Sequence, residues 1–454
     1  MVNELRELMQ DATARPPRET GDLAAVLGSG RRRVRVRRAG IVGGTALAAT
    51  AVAVASLSWL NPAPADLAAA GVPRAAGPVI GLGQARPAVE GQDYRALASY
   101  TNEDLNADNG QYFDGVTDDG LILFRDGPRS DQLYPRFALM DPATGEKDWL
   151  PQLDVGQAQT WTAGLSEERL VLVSPDDGRT TDGPSADLMV HVFDRATRTW
   201  SSPTYPELRR AAEPWGAKVG PDGRLYVLVP ATQGGIPEGG WPVGPDGEAD
   251  DADAEGDTYD LWSASLTDTT DVRDEGPRVG SFDFTDDALV WSDSANGAAG
   301  RVHVRDLATG EESSFDPRLG ERCNLLGFSA AGEHIAMSQY CGTYEDGVRD
   351  DRVQVVTTDG DPVVTVQDSG LEGGQLVADG DFLTLTAYDR ATGGTYVYDF
   401  DDRELVRLSD ETSSWTTAVG PTPGDQFMWT TPTGGKVELT GRSGATSHLG
   451  EIIR

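Results

Sequence analysis

Histidine is scarce in this chain. There are four in 454 residues, His191, His303, His334 and His448, and none has paired-ligand spacing, which argues against zinc or copper chemistry. Cysteine is scarcer still: Cys323 and Cys341 are the only two, and no C-x-x-C exists to support a redox site. No G-x-S-x-G is present either, because GFSAAG at 327–332 fails the spacing and its Ser329 falls in a hairpin turn. Lysine is limited to Lys147, Lys218 and Lys436, an arginine-for-lysine skew of the kind a high-GC bacterial genome produces. Basic residues number 38 against 73 acidic ones. Residues 1–38 hold 9 of the basic and 5 of the acidic residues, so the rest of the chain has a net charge of −39. Such a surface repels nucleic acid and anionic lipid headgroups. Two carboxylates suffice for glycoside hydrolysis, but the sequence singles out no pair.

What the chain does have is a repeat. Between residues 114 and 442 one pattern recurs seven times: a turn-centred hairpin, a loop of variable length and a second hairpin. The second strand of each first hairpin begins at Leu121, Leu170, Leu225, Leu289, Ile335, Leu383 and Phe427, at steps of 44 to 64 residues, which suits a blade of four short strands. Each follows a tight turn such as TDDG at 117–120 or GPDG at 220–223, where Asp and Gly accept hairpin conformations. The strands themselves, LILF, LVLV, LYVLV, ALVW, HIAM, FLTL and QFMW, are apolar almost throughout and read as buried on both faces. The expected fold is all-β, a seven-bladed β-propeller of four-stranded antiparallel blades. Six or eight blades stay possible, because the size of the third unit depends on treating 231–257 as a loop. Blades are expected near 111–152, 158–203, 213–275, 279–316, 323–367, 373–409 and 413–450, within an 81–454 domain. A strand around YRALASY at 94–100 is expected to complete the last blade.

The second hairpins also superimpose, as in FALMDPATGEKDW, VHVFDRATRTW and VHVRDLATGEESSF. Asp141, Asp194, Asp306 and Asp399 open four of these turns and are expected to bond the turn backbone. His191 and His303 share one place in the third strand and read as packing or surface strand residues. The D-x-A-T-G turns resemble those of WD40-like, TolB-like and quinoprotein-type propellers over about residues 111–450, although the regular GH and WD dipeptides of WD40 repeats are absent. That resemblance implies a fold and no activity.

The N-terminal region indicates location. Residues 39–60, AGIVGGTALAATAVAVASLSWL, carry no charge over 22 positions, enough for a helix across a hydrocarbon core of ~30 Å. Arg31, Arg32, Arg33, Arg35, Arg37 and Arg38 precede them and no Lys or Arg follows until Arg74, so a cytoplasmic N-terminus and an outside C-terminal domain are expected. A cleaved twin-arginine-type signal, with Arg37-Arg38 and an Ala63-Pro64-Ala65 site, gives the same side. Residues 61–80, rich in Ala, Pro and Gly, read as a linker. The head, 1–38, has two short amphipathic stretches and resembles the cytoplasmic heads of actinobacterial single-pass proteins encoded beside extracytoplasmic-function sigma factors. That resemblance implies a sigma factor as a cytoplasmic partner; the alternative is two turns lying on the inner leaflet.

Cys323 and Cys341 bracket a hairpin whose turn centres near Gly332, so a cross-strand disulfide is expected. The connections between first and second strands, and between third and fourth, are tight in every repeat, whereas those between second and third expand. One face is therefore plain and the other elaborated, which makes the elaborated face the candidate binding surface. Its candidate contacts are Ile236 and Trp241 in the insert 231–257, and Tyr344 in YCGTYEDGVRDD. The end of the insert, DGEADDADAEGD, offers Asp251, Asp253, Glu255 and Asp257 as a Ca²⁺ candidate, but Trp262 stands where an EF-hand needs its bidentate Glu; self-repelling disorder is the competing reading. Two functions follow. One is a membrane-anchored extracytoplasmic propeller binding a protein or envelope polymer; the other is a propeller enzyme acting on glycans or peptides at the mouth of its central channel.

Overall fold

The computed structural model describes residues 77–101, 111–127, 135–153, 155, 160–175, 188–205, 208, 213–235, 255–317, 323–343, 349–368, 370–377, 379–388, 391–411, 421–436 and 443–453. The head 1–38, the apolar run 39–60 and most of the linker lie outside them. Among the described residues no helix is long and apolar enough to cross a membrane.

Three strands precede the ring: β1 (Val79–Ile80), β2 (Arg86–Pro87) and β3 (Tyr94–Thr101). Blade 1 follows as β4 (Tyr112–Val116), β5 (Ile122–Asp126), β6 (Arg136–Met140) and β7 (Lys147–Trp149). Blade 2 is β8 (Trp161–Leu165), β9 (Arg169–Pro175), β10 (Leu188–Asp194) and β11 (Thr199–Ser201). Blade 3 is β12 (Glu213–Val219), β13 (Arg224–Thr232), β14 (Thr258–Ser265) and β15 (Val272–Val279). Blade 4 is β16 (Phe282–Phe284), β17 (Ala288–Ser292), β18 (Val302–Asp306) and β19 (Glu312–Phe315). Blade 5 is β20 (Asn324–Ala331), β21 (His334–Thr343), β22 (Arg349–Thr357) and β23 (Pro362–Gln367). Blade 6 is β24 (Leu371–Leu376), β25 (Phe382–Ala387), β26 (Gly394–Asp399) and β27 (Glu404–Ser409). Blade 7 contains β28 (Gln426–Lys436) and β29 (Ser443–Ile452), with β3 as its outer strand. Seven sheets result, and the six- and eight-blade alternatives fall away.

The apolar second strands are buried as expected: Ile122, Leu123, Phe124, Leu170, Leu172 and Leu383 are wholly inaccessible. Antiparallel order sends the first-to-second and third-to-fourth connections to one face, hereafter the turn face. There Asp141 accepts from the Ala143 and Thr144 N–H groups at 2.7 and 3.0 Å, and Asp306 from Ala308 and Thr309 at 2.9 and 2.7 Å. Asp194 and Asp399 do the same in their turns. The second-to-third connections lie on the opposite face, the loop face, and the longest runs from Thr232 to Thr258.

The first strands carry a signal that the hairpin pattern does not include. Gly115, Gly164, Gly216, Gly327 and Gly374 sit in β4, β8, β12, β20 and β24. A Cβ on Gly164 would lie 2.8 Å from the Val219 Cβ of the next blade, so the hydrogen atom there sets how closely adjacent inner strands approach.

Ring closure uses the N-terminal side of the chain. The expected strand at 94–100 is β3, which pairs antiparallel with β29 from Thr446↔Thr101 to Ile452↔Tyr94. Before it, β1 adds to the outer edge of blade 5 and β2 to the outer edge of blade 6, both parallel to the strands they join. The last residues of the stretch read as linker are thus part of blade 5.

Candidate functional site

On the loop face, blade 1 gathers charged and aromatic side chains at the start of its first strand and the end of its second. Arg125 donates through Nε to Asp114 Oδ2 at 2.6 Å and through Nη2 to the Thr160 carbonyl of blade 2 at 3.0 Å. Both members of the pair are buried, 4% and 6% exposed, so neither charge has water to fall back on. Burial pushes the Asp114 carboxyl up, against the pull of Arg125. One position along, Asp126 accepts from Gln111 Nε2 at 2.9 Å and from Arg136 Nη2 at 2.5 Å. Arg136 in turn stacks over the half-exposed Trp149 ring, 4.2 Å from its centroid. The cluster ties blade 1 to blade 2 and leaves Arg136 and Trp149 facing solvent.

The insert is anchored at its base. Asp257 Oδ1 accepts from the Gly234 N–H at 2.8 Å and Oδ2 from the Asn296 side-chain amide at 2.6 Å. Asn296 belongs to the 293–300 connection of blade 4, which turns inward: its N–H donates to the Leu325 carbonyl at 2.8 Å, and the Leu325 N–H to Gly297. One short connection therefore bridges blades 3, 4 and 5 on the loop face. Among the expected site residues, Ile236, Trp241, Tyr344, Asp251 and Asp253 lie outside the described residues, as do the six arginines between residues 31 and 38. Among the described residues no group of His, Cys, Asp and Glu is arranged to hold a metal ion. Cys323 and Cys341 are joined as a disulfide between β20 and β21, as expected.

The histidines form a set that sequence reading joined only in part. His191, His303 and His448 occupy the same place in the third strands of blades 2, 4 and 7, opposite Leu172, Trp291 and Trp429. In each, Nε2 meets a residue of, or just past, the second strand: Ser174 at 3.0 Å, Asp293 at 2.8 Å and Thr431 at 2.8 Å. Nδ1 meets a residue in or beside the outermost strand: Ser202 at 2.9 Å, Glu312 at 3.3 Å and Ser99 at 2.8 Å. His448 escaped notice because its outer partner comes from β3, some 350 residues away in sequence. Burial pushes His191 and His448 down to about 4, so hydroxyl pairs hold them neutral, while His303 sits between two carboxylates. These are rigid packing roles in the outer half of each blade.

The turn face also has a cleft, of about 270 Å³, between blades 1 and 2. Leu121, Leu139 and Phe193 form its floor. Arg195 grips Asp119 with two bonds of 2.7 Å and holds that carboxyl down to about 2, while Arg198 grips Asp148 at 2.6 and 2.9 Å. Both arginines come from the DRATR turn, where Arg198 adopts φ 56° at the place Gly145 and Gly310 occupy in the copies. The cleft is a clamp between blades, with its guanidinium groups already matched to carboxylates.

No family model and no curated protein sequence matches the chain. It is similar in structure to a prolyl endopeptidase, with 16% identity over 70% of this chain and 42% of that one, TM-score 0.44. It is similar to an oligogalacturonate lyase in complex with manganese, 12% identical over 80% of this chain and 99% of that one, TM-score 0.49. TolB from Acinetobacter baumannii is 11% identical over 70% of this chain and 77% of that one, TM-score 0.34. The chain spans less than half of the endopeptidase and nearly all of the lyase. At such identities no residue role carries over.

Proposed function

We propose that this chain is a membrane-tethered extracytoplasmic binding module that presents its loop face to a protein or an envelope polymer. The observation that carries this reading is where the chain joins the ring. The Thr365 N–H donates to the Pro78 carbonyl at 2.9 Å, and β1 runs parallel to β23, so residue 77 meets blade 5 at the turn-face end of its outer edge. The described chain therefore enters the ring at the plain face, which leaves the loop face clear of that entry. The six arginines between residues 31 and 38 support a cytoplasmic head, and the Cys323–Cys341 disulfide supports an oxidising compartment. The head is then available to a cytoplasmic partner such as a sigma factor.

The test has two parts. Membrane fractionation with protease added from outside should leave the full-length chain in the membrane pellet with only the head protected. A photo-crosslinking residue at Trp241 or Tyr344 should capture a partner that one at Asp222, on the turn face, does not. Equal capture from both faces, or capture from neither, sinks the reading. Loss of function on replacing an inner-strand carboxylate such as Asp283 would point to an enzyme instead.

A further inference from the structure

We propose that residues 77–101 are a strap that carries pull on the N-terminal side of the chain into blade 5 and yields in a fixed order. The source of the pull rests on the tether reading above.

The fourth strand of every blade runs from the turn face to the loop face. Because β1 and β2 are parallel to β23 and β27, they run the same way, each with its first residue toward the turn face. Pull directed out of the turn face therefore draws both strands along their own axes. Their hydrogen bonds are loaded together in shear instead of one after another, the more resistant arrangement for so short a pairing.

Between the two strands Leu82 is 2% exposed, packed into the seam of blades 5 and 6 with Val366, Leu371, Tyr396 and Leu405. After it comes an ion-pair clamp. Arg86 donates to Glu404 at 2.6 and 2.7 Å and to Asp93 at 2.7 and 2.8 Å, a guanidinium with a carboxylate on either side. Asp93 also accepts from the Val89 N–H at 2.6 Å, which fixes the bend that turns the strap into β3. Behind the clamp lies the β3–β29 pairing that closes the ring.

The blade that receives the strap first is also the blade with the chain's disulfide. Load entering at β1 crosses β23 and β22 to β21, which Cys323–Cys341 joins to β20. The order of yielding follows from the strength of each attachment. Val79–Ile80 and Leu82 go first, the Arg86 clamp next, and ring closure last.

Pulling single full-length molecules by handles at residue 1 and at Asp410, which follows β27 at its loop-face end, tests this. Release of residues 77–93 should appear as an early extension before any blade opens, equal to about 60 Å of contour from 17 residues at roughly 3.5 Å each less the folded distance between residues 77 and 93. At fixed load Arg86→Ala should speed that event about tenfold and leave ring opening unchanged. Leu82→Ala should act in the same direction, and reduction of the disulfide should accelerate only the later loss of blade 5. A single cooperative rupture with no early extension overturns the proposal, as does an early event unmoved by both substitutions. Recovery of the chain as a soluble protein defeats the tether reading alone, since the force signature belongs to the strap.

Discussion

Asp257 and Asn296 are joined by a 2.6 Å hydrogen bond that links the root of the long insert in blade 3 to the inward-turned connection of blade 4. With the Gly234 N–H on its other oxygen, the Asp257 carboxylate has protein donors on both sides. The residue that was a calcium candidate in the sequence therefore holds the loop face together. Asn296 itself adopts φ 53°, a left-handed conformation that asparagine tolerates better than most residues.

Asn296→Ala should destabilise the protein by about 1–2 kcal/mol through loss of that bond and of the left-handed preference. Thermal unfolding checks it. Because Asp257 is already engaged, adding Ca²⁺ should give the same shift in melting temperature, or the same lack of one, in Asp257→Asn and in the parent.

Gly164→Val should be among the most damaging single changes in the first strands. Its Cβ would stand 2.8 Å from the Val219 Cβ and Cγ2, and two inner strands would have to separate. Overpacking of this kind costs about 1–3 kcal/mol. Urea denaturation of the variant should show a lower midpoint. Val219→Ala in the same molecule should recover part of the loss, and no recovery would place the effect elsewhere.

Stability should fall as the medium is acidified from about pH 6.5 toward pH 4. Burial pushes the folded values of His191 and His448 down to about 4, below the ordinary 6.5 of a free imidazole. The unfolded chain takes up protons in this window and the folded chain does not, so the stabilisation is present above pH 6.5 and is lost as pH drops to the folded value. The shift at His191 corresponds to roughly 3 kcal/mol, and His448, partly exposed, contributes about half of that. His191→Asn should flatten the profile between pH 4 and 6.5; an unchanged slope would mean that the ring is not held neutral.

Removal of the disulfide, as Cys323→Ser with Cys341→Ser, should cost about 3 kcal/mol for a closed loop of 18 residues' separation. Denaturation of the parent in reductant should give the midpoint of the double variant, which reductant leaves unmoved. The parent should keep a higher midpoint only while oxidised.

Much of the architecture was legible because it is local. Turn chemistry at TDDG or GPDG, the apolar second strands and the aspartate-opened turns each depend on a few consecutive residues, and their recurrence fixed the repeat. The disulfide was legible for the same reason: Cys323 and Cys341 flank one hairpin. The candidate binding face was legible only as a contrast in loop lengths. Its geometry was not, because Asp257 meets Asn296 across 39 residues, and no pattern in either segment marks the other.

By itself, then, the sequence determined the propeller repeat, the position of the one long apolar run and the division into a plain and an elaborated face. Only the tertiary structure decided how the ring is closed and where residues 79–87 join its outer edge. Arg86 reaches Glu404 across 318 positions, and β1 and β2 pair over two residues each, too short for any period to appear. Contacts of that kind are chosen by which open edge the folded blades leave available. The histidines show the same division: three of them look alike as letters, but hydroxyls surround two and carboxylates the third, and those neighbours exist only once the blades have formed.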